Sequence, residues 1–171
     1  MPTASIKKII PCKKKDLLNM ILDIEKYPEF VPWCINGKIH RKQDMNDIIE
    51  IEADLTVGKK FLNQTYKSHV TYYKQKDKII VGNIGGPLKH LRNEWQVKEV
   101  NNQSEVSFII DFEIKNIFYN MIMKKSFDQG LKNIADAFEK RAIKLFKNTQ
   151  NQFKWFFYSR FLYFCTNLVF E

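Results

Sequence analysis

The residues best suited to catalysis or metal binding are scattered widely over this chain of 171 residues. They are Cys12, Cys34, Cys165, His40, His69 and His90. None has the close spacing of metal ligands, and no histidine or acid stands beside Cys34 to form a reactive thiolate. We therefore expect Cys34 to be a buried structural thiol and expect no metal site. The odd number and wide spacing of the cysteines indicate a reducing compartment.

Composition and charge restrict the partners of the protein. The chain has 14 phenylalanines and a net charge of +9 at pH 7, which favours an acidic partner such as nucleic acid, an anionic membrane or the ribosome. The same charge can also serve solubility alone. The basic start, MPTASIKKIIPCKKK, lacks the apolar run of a signal peptide, so we expect a cytoplasmic protein, with peripheral contact to the inner membrane as an option. We expect one domain over residues 1–149 and an aromatic extension over 150–171.

One long helix is predicted over Asn116–Lys147, because apolar residues recur there every three or four positions. They are Phe118, Met121, Ile122, Leu131, Ile134, Ala135, Phe138, Ala142, Leu145 and Phe146. At ~1.5 Å per residue, this helix would be roughly 45 Å long and would cross a small domain. An apolar stripe of that length needs a broad apolar partner.

The rest of the chain predicts a sheet. A first strand is expected over Ala4–Pro11 and a short amphipathic helix over Cys12–Ile24. Two prolines in Tyr27–Cys34 forbid a continuous helix and predict a compact aromatic corner. Over Ile35–Ile114 the apolar period is two, and turns recur about every dozen residues without intervening helices. That pattern predicts an antiparallel meander.

These elements together indicate an α+β fold, in which a curved antiparallel sheet of about seven strands wraps around the C-terminal helix. The space between the sheet and the helix would be apolar. Two interpretations are open at this point: the side chains fill a core, or they leave a cavity for an apolar ligand.

Four separate motifs resemble one known family. The segment Glu25–Cys34, EKYPEFVPWC, resembles the Tyr-Pro-x-Phe-x-Pro-Trp-Cys signature of the coenzyme Q-binding START-like proteins. Ala53–Gly58 is similar to the Leu-x-Val-Gly turn of that family, and Gly86–Trp95 to its Gly-Pro-Phe-x-x-Leu-x-x-x-Trp strand. Asp111–Glu113 and Ala137–Ala142 are similar to its closing strand and helix.

The resemblance covers roughly residues 6–146 and implies a helix-grip, START-like fold. It also implies a non-enzymatic chaperone for coenzyme Q (ubiquinone) or a similar isoprenoid lipid, supporting respiratory electron transport, with no covalent cofactor. A prenyl tail gains about 0.8 kcal/mol for each CH₂ group that it buries, so an apolar cavity suits it. The family also includes ribosome association toxins of the RatA type. The alternative is therefore a protein that binds the large ribosomal subunit and blocks subunit association.

The candidate ligand contacts follow from this fold. Pro32 and Trp33 would either gate the mouth of the cavity or cap the core. The candidate cavity walls are Leu88, Leu91, Trp95, Phe108, Phe112, Phe118, Met121, Ile122, Leu131 and Phe138. The alternative for these residues is that they belong to an ordinary core.

We expect no catalytic residues. Related folds include cyclases with acid and base groups in the cavity, and the best local acids here are Glu94 and Asp111. Both alternate onto the face opposite the apolar one, which argues against an enzyme.

Two features could contact a membrane or RNA. The first is the basic side of the long helix with the lysines before the short helix: Lys124, Lys125, Lys132, Lys140, Lys144, Lys147, Lys13, Lys14 and Lys15. The second is the aromatic segment Phe153–Phe170, which Lys154 and Arg160 interrupt, so that an interfacial position is favoured over a transmembrane helix. A solvated charged face and an extension without function are the alternatives.

Overall fold

The computed structural model describes residues 3–59, 62–116 and 129–146. The strands are β1 (Thr3–Ile10), β2 (Cys34–Asp44), β3 (Ile48–Lys59), β4 (Leu62–Tyr73), β5 (Lys78–Gly85), β6 (Leu88–Val100) and β7 (Gln103–Ile114). The helices are α1 (Lys14–Leu22), α2 (described over 129–146) and the 3-10 helices Ile24–Glu29 and Lys74–Lys76. Within these ranges every helix falls short of the length and apolar content that crossing a bilayer requires.

The seven strands form one antiparallel sheet in the order β1-β7-β6-β5-β4-β3-β2. Strands β2 to β7 follow one another as hairpins, and β1 closes the order by pairing with β7. This confirms the predicted α+β class and the antiparallel meander. The predicted first strand and short helix correspond to β1 and α1.

Two sequence predictions need a more exact account. The long helix is confirmed over 129–146, whereas Asn116 lies in a bend and the remaining predicted helical residues are outside the described ranges. Strand β2 was not predicted as a separate element. Most of its residues are exposed, so it lacks the alternation of buried and exposed side chains that marks the other strands. The predicted extension over 150–171 lies outside the described residues.

The two faces of the sheet differ in chemistry. On β3, Ile51 and Ala53 are buried, while Glu50, Glu52 and Asp54 point to the opposite face and are partly exposed. The buried residues of the strands form one core with residues of α1 and α2. We call the face toward α2 the inner face and the other the outer face.

Helix α2 packs on the inner face through Phe138, which is 1% exposed. The centroid of its ring lies 5.6 Å from that of Tyr27, 5.0 Å from Phe30 and 5.1 Å from Trp95. Trp95 in turn stacks on Phe108 at 3.9 Å. The Tyr-Pro-x-Phe corner therefore contacts the helix and the sheet through the same aromatic ring.

Ion pairs hold α2 on both sides of this aromatic contact. On one side, Lys8 of β1 binds both Asp136 and Glu139, the second with 2.7 Å between Nζ and Oε2. On the other side, Arg141 donates to Glu29 at 2.6 Å. The helix is therefore tied to the edge strand β1 and to the 3-10 helix.

The 3-10 helix Ile24–Glu29 also covers the edge strand β2. A Cβ atom added to Gly37 of β2 would lie 2.3 Å from the backbone oxygen of Ile24. Two residues further on, the N–H of Ile39 donates to the Glu25 carboxylate at 3.1 Å. Glycine is required at residue 37 because the two backbones approach closely there.

Replacing this glycine should destabilise the fold. We expect Gly37→Ala to lower the free energy of unfolding by roughly 1–3 kcal/mol, because backbone atoms have to move to accept the methyl group. Urea unfolding followed by circular dichroism measures the change. Gly82→Ala is the matched control, since nothing lies within 4 Å of the added Cβ atom there. Equal stability of the two variants would contradict the close approach.

The ion pair between β1 and α2 should make stability depend on pH. The hydrogen bond from Lys8 lowers the pKa of the Asp136 carboxyl. A carboxyl group with a lowered pKa stabilises the folded state above its unfolded-state pKa, which is about 3.9, and this contribution is lost as the pH falls through the folded-state pKa. We expect Lys8→Met to lose this contribution at pH 6.

The measurement is the free energy of unfolding from about pH 6 down to pH 3, where the carboxyl groups titrate. The difference between wild type and Lys8→Met should be largest at the upper end and should shrink below about pH 4. Lys15→Met, at an exposed position of α1, should show no such trend. A difference that is independent of pH would contradict the role of the ion pair.

Candidate functional site

The inner face is more deeply buried at one end of the sheet, although Ile49 and Tyr72 there stay partly exposed, and it is only partly covered at the other end. The buried end lies beside α1, and its inner-face residues include Ile51, Ile79, Val97 and Val106, each at most 2% exposed. The other end contains the β3–β4 and β5–β6 connections and the end of β7, and we call it the open end. Several of its inner-face residues remain partly exposed: Leu55, Val57, Tyr66, Val81, Leu88 and Ile110. The open end therefore offers an apolar surface.

An irregularity in β6 increases this apolar surface. Leu88 and Leu91 are three residues apart, so a regular strand would place them on opposite faces. The register shifts between Leu88 and His90, so that Leu88 pairs with Ile114 and Leu91 pairs with Phe112. Because Ile114 and Phe112 lie on the same face of β7, both leucines face inward.

The predicted cavity walls fall into three groups. Leu88, Leu91 and Phe112 lie on the inner face toward the open end, and only Leu88 remains partly exposed. Trp95, Phe108, Leu131 and Phe138 are deeply buried members of the sheet and helix packing, each at most 5% exposed. Phe118, Met121 and Ile122 lie outside the described residues. Contact of any of these residues with a ligand remains a prediction.

Trp33 lies at the open end, and whether it gates a cavity or caps the core remains a prediction. Its carbonyl oxygen accepts a hydrogen bond from the N–H of Gly58 at 2.9 Å, and its ring lies 3.8 Å from where a Cβ atom on Gly130 would be. The side chain is 45% exposed, and the backbone φ is +63°. A bulky residue in this left-handed region is strained, and such strain is concentrated at functional sites.

Pro32 lies beside a surface groove of about 410 Å³ between the 3-10 helix and α2. Its lining residues are Glu29, Phe30, Pro32, Asn133, Asp136, Ala137, Lys140, Arg141 and Lys144. Three of these residues are apolar, and the other six are polar or charged. The groove is on the outside of α2 and is distinct from the apolar surface of the open end.

Most polar side chains of the inner face bind the backbone. The Tyr27 hydroxyl donates to the carbonyl of Ile21 at 2.5 Å, and the Ser68 hydroxyl donates to Ala53 at 3.2 Å. The Asn83 amide donates to Leu88 at 3.1 Å. These groups are thereby unavailable to a ligand.

Tyr66 and Asn93 are polar residues of the inner face that the sequence analysis missed. Burial raises the pKa of the Tyr66 hydroxyl, although the residue keeps part of its surface accessible. Asn93 occupies an inward position between Leu91 and Trp95. The sequence signal that could have identified them is a polar residue at a position where the alternation of the strand predicts an apolar one.

The groups considered for catalysis are poorly suited to it, because they lie away from the apolar surface or are weak nucleophiles. Glu94 lies on the outer face, where Lys78 binds it at 2.8 Å and Arg92 also contacts it. Burial raises the pKa of the Cys34 thiol to about 11, and this thiol donates to the Asn36 carbonyl at 3.8 Å. A thiol with a raised pKa is a poor nucleophile.

The three histidines each face a carboxylate across neighbouring strands of the outer face. The separations between Nε2 and the carboxylate oxygen are 2.9 Å for His40 and Asp54, 3.9 Å for His69 and Glu50, and 3.5 Å for His90 and Asp111. The second candidate acid, Asp111, therefore also lies on the outer face.

The predicted basic surface is present in part. Lys132, Lys140 and Lys144 are exposed on α2, and Lys13 and Lys15 are exposed at the start of α1. Lys14 instead binds Asp77 at 2.7 Å. Lys124, Lys125 and Lys147 lie outside the described residues.

Comparison with known sequences agrees with this architecture. A family described as polyketide cyclase/dehydrase and lipid transport matches residues 10–139. The "Ribosome association toxin RatA" of Rickettsia prowazekii is 29% identical over 82% of this chain and 95% of its own length. The mitochondrial "Coenzyme Q-binding protein COQ10" of Dictyostelium discoideum is 30% identical over 89% of this chain and 74% of its own length.

Comparison with solved structures gives the same fold. The 18 kDa protein CC1736 from Caulobacter crescentus has a TM-score of 0.71 and 26% identity, covering 85% of this chain and 98% of that protein. The Zhui aromatase/cyclase from Streptomyces sp. R1128 has a TM-score of 0.69 at 11% identity, covering 82% and 93%. This architecture is therefore found in proteins with and without a named enzymatic activity.

Proposed function

Because this chain belongs to the polyketide cyclase/dehydrase and lipid transport family, we propose that it is a non-enzymatic carrier for ubiquinone or a similar isoprenoid lipid. One observation carries the proposal: the apolar inner face is only partly covered at the open end, and a bulge turns both Leu88 and Leu91 toward it. The likeness to the coenzyme Q-binding protein of Dictyostelium discoideum supports the same ligand class.

The physical basis is burial of apolar surface. Each CH₂ group moved from water to an apolar site contributes about 0.8 kcal/mol, so a few prenyl units supply ample binding energy relative to water. Relative to a membrane, the tail gains little, since the membrane interior is equally apolar. A carrier of this kind therefore exchanges its lipid readily with a bilayer, and its choice among lipids depends on the polar head group.

A binding role fits the placement of the polar groups better than catalysis. Glu94 faces outward and makes an ion pair with Lys78, Asp111 lies opposite His90 on the same face, and the thiol of Cys34 has a raised pKa. A cyclase would need acid and base groups directed at its substrate. The structural likeness to the Zhui aromatase/cyclase concerns the fold alone.

We place this carrier peripherally on the inner surface of an energy-coupling membrane. Trp33, Ile35 and Ile84, all toward the open end, are 45%, 46% and 56% exposed. The exposed Lys115 lies at the same end. Apolar side chains beside cations suit an anionic lipid surface, and lysines of α2 and the aromatic residues 150–171 would add to the contact.

The second candidate function is association with the large ribosomal subunit, blocking subunit joining. The likeness to the RatA toxin of Rickettsia prowazekii covers 95% of that protein, which favours this alternative. The exposed cations Lys132, Lys140 and Lys144 of α2 could contact ribosomal RNA phosphates.

Bound lipid is the first test. We expect organic extraction of the protein from its native host, followed by mass spectrometry, to yield an isoprenoid quinone. Leu88→Gln should lose most of it, because the variant places an amide on the inner face. Ile109→Gln, at a position of β7 that is 44% exposed on the outer face, is the matched control and should retain the lipid.

The opposite result would identify the ribosomal role. The carrier proposal would be replaced by the second candidate if two results were found together. The wild-type protein would contain no lipid, and it would sediment with large ribosomal subunits in a way that weakens as salt is raised. Equal lipid content in Leu88→Gln and wild type would contradict the location of the site.

Docking of the open end on lipid should be detectable with vesicles. We expect Ile84→Ser to weaken sedimentation with phosphatidylcholine vesicles that contain cardiolipin, because it removes an exposed apolar contact. Val100→Ser is the matched control, since Val100 is also exposed but lies at the opposite end of the sheet. Equal loss in both variants would contradict docking through the open end.

A further inference from the structure

Asn93 stands in the middle of the apolar inner face. Along β6 its neighbours on this face are Leu91 and Trp95, which are 8% and 5% exposed. Across the sheet it pairs with Val81 of β5 and with Ile110 of β7. An amide therefore lies among four apolar side chains.

The amide of Asn93 makes no hydrogen bond within the described part of the chain. Its Oδ1 atom is buried without a partner. The other asparagine of this face, Asn83, behaves differently: its amide donates to the Leu88 carbonyl and accepts from the N–H of Gly85. Within the described residues, Asn83 therefore builds a turn, whereas the Oδ1 atom of Asn93 has no partner.

An orphaned polar group on an apolar face costs stability, and leucine would fit the pattern of the strand better. A ligand that formed a hydrogen bond with this amide would offset the cost. Rotation of the amide by 180° exchanges its oxygen and nitrogen, so the group can offer a donor or an acceptor at the same position.

Resting on the carrier function above, we propose that the Asn93 amide hydrogen-bonds the head group of the bound lipid, with Nδ2 donating to a carbonyl oxygen of a quinone-type ring. This gives the selectivity that a prenyl tail cannot give. The ligand class is a lipid with an oxygen acceptor on its head group, in preference to a hydrocarbon of the same size.

The position of Asn93 also sets the orientation of the ligand. Asn93 is five residues from the start of β6 at the open end, which corresponds to roughly 15 Å of strand. The head group therefore enters first and the tail extends toward the open end. Trp95 lies on the same face at about 7 Å from Asn93 along the strand, so the ring is close to its indole.

The test uses decylubiquinone and phenyldecane, which carry a ten-carbon tail on a ring with and without carbonyl oxygens. Trp33→Phe and Trp155→Phe together leave Trp95 as the single tryptophan of the chain's three. In this background we expect decylubiquinone to quench Trp95 emission. Asn93→Leu should weaken decylubiquinone binding about 5- to 10-fold, the value of one hydrogen bond, and leave phenyldecane competition unchanged.

Controls separate this inference from loss of folding. Gln96→Leu removes an amide from the outer face of β6, where it donates to the Lys76 carbonyl at 2.7 Å, and this variant should bind both ligands as the unsubstituted background does. Asn93→Leu should melt at the same or a higher temperature, because it removes the orphaned amide. Asn93→Ala, which adds no bulk, should show the same selective loss of decylubiquinone.

The outcomes distinguish the role of Asn93 from the carrier function on which it rests. Binding of decylubiquinone with full affinity by both Asn93 variants, or without quenching of Trp95, would overturn the role of Asn93 while the carrier function stands. Binding of neither ligand by the wild-type protein, which retains Trp33 and Trp155, would overturn the carrier function itself.

Discussion

The fold depends on one contact, the burial of the Phe138 ring between the sheet and the aromatic corner. A curved antiparallel sheet with one apolar face is unstable unless something covers that face. Helix α2 does so, and Phe138 touches Trp95 on the sheet and both Tyr27 and Phe30 on the corner. The family signature around Pro28 is thereby explained as the part of the core that fixes the helix.

Much of the architecture could be predicted, because its signals are local. Alternation marked the strands with one buried face, and a three-to-four spacing marked α2. Strand β2 could not be recognised as a separate strand from the sequence, because most of its residues are exposed. The inward turn of Leu88 together with Leu91 depends on a bulge, and the pairing of each histidine with a carboxylate depends on register. Both are properties of two strands at once, which no single stretch of sequence contains.

The candidate site also shows why carriers and cyclases can share an architecture. In both, the sheet and helix supply an apolar space, and the function depends on which polar groups enter it. Here the acids Glu94 and Asp111 lie on the outer face beside Lys78 and His90, while an uncharged amide stands inside. An uncharged group can select a head group but has little capacity to transfer protons. The chemistry of the site is therefore determined by the direction in which a few polar side chains point.

The covering of strand β2 by the 3-10 helix has a consequence for aggregation. The edge of an antiparallel sheet presents free N–H and C=O groups that can pair with another chain. Here the Glu25 carboxylate accepts a hydrogen bond from the N–H of Ile39, and the backbone of Ile24 lies against Gly37. The exposed Lys38 and Lys42 add charge to the same strand. Under the proposed carrier function, the protein passes through an empty state in which its apolar face is least covered. Protection of this edge removes one route by which empty molecules could join strand to strand.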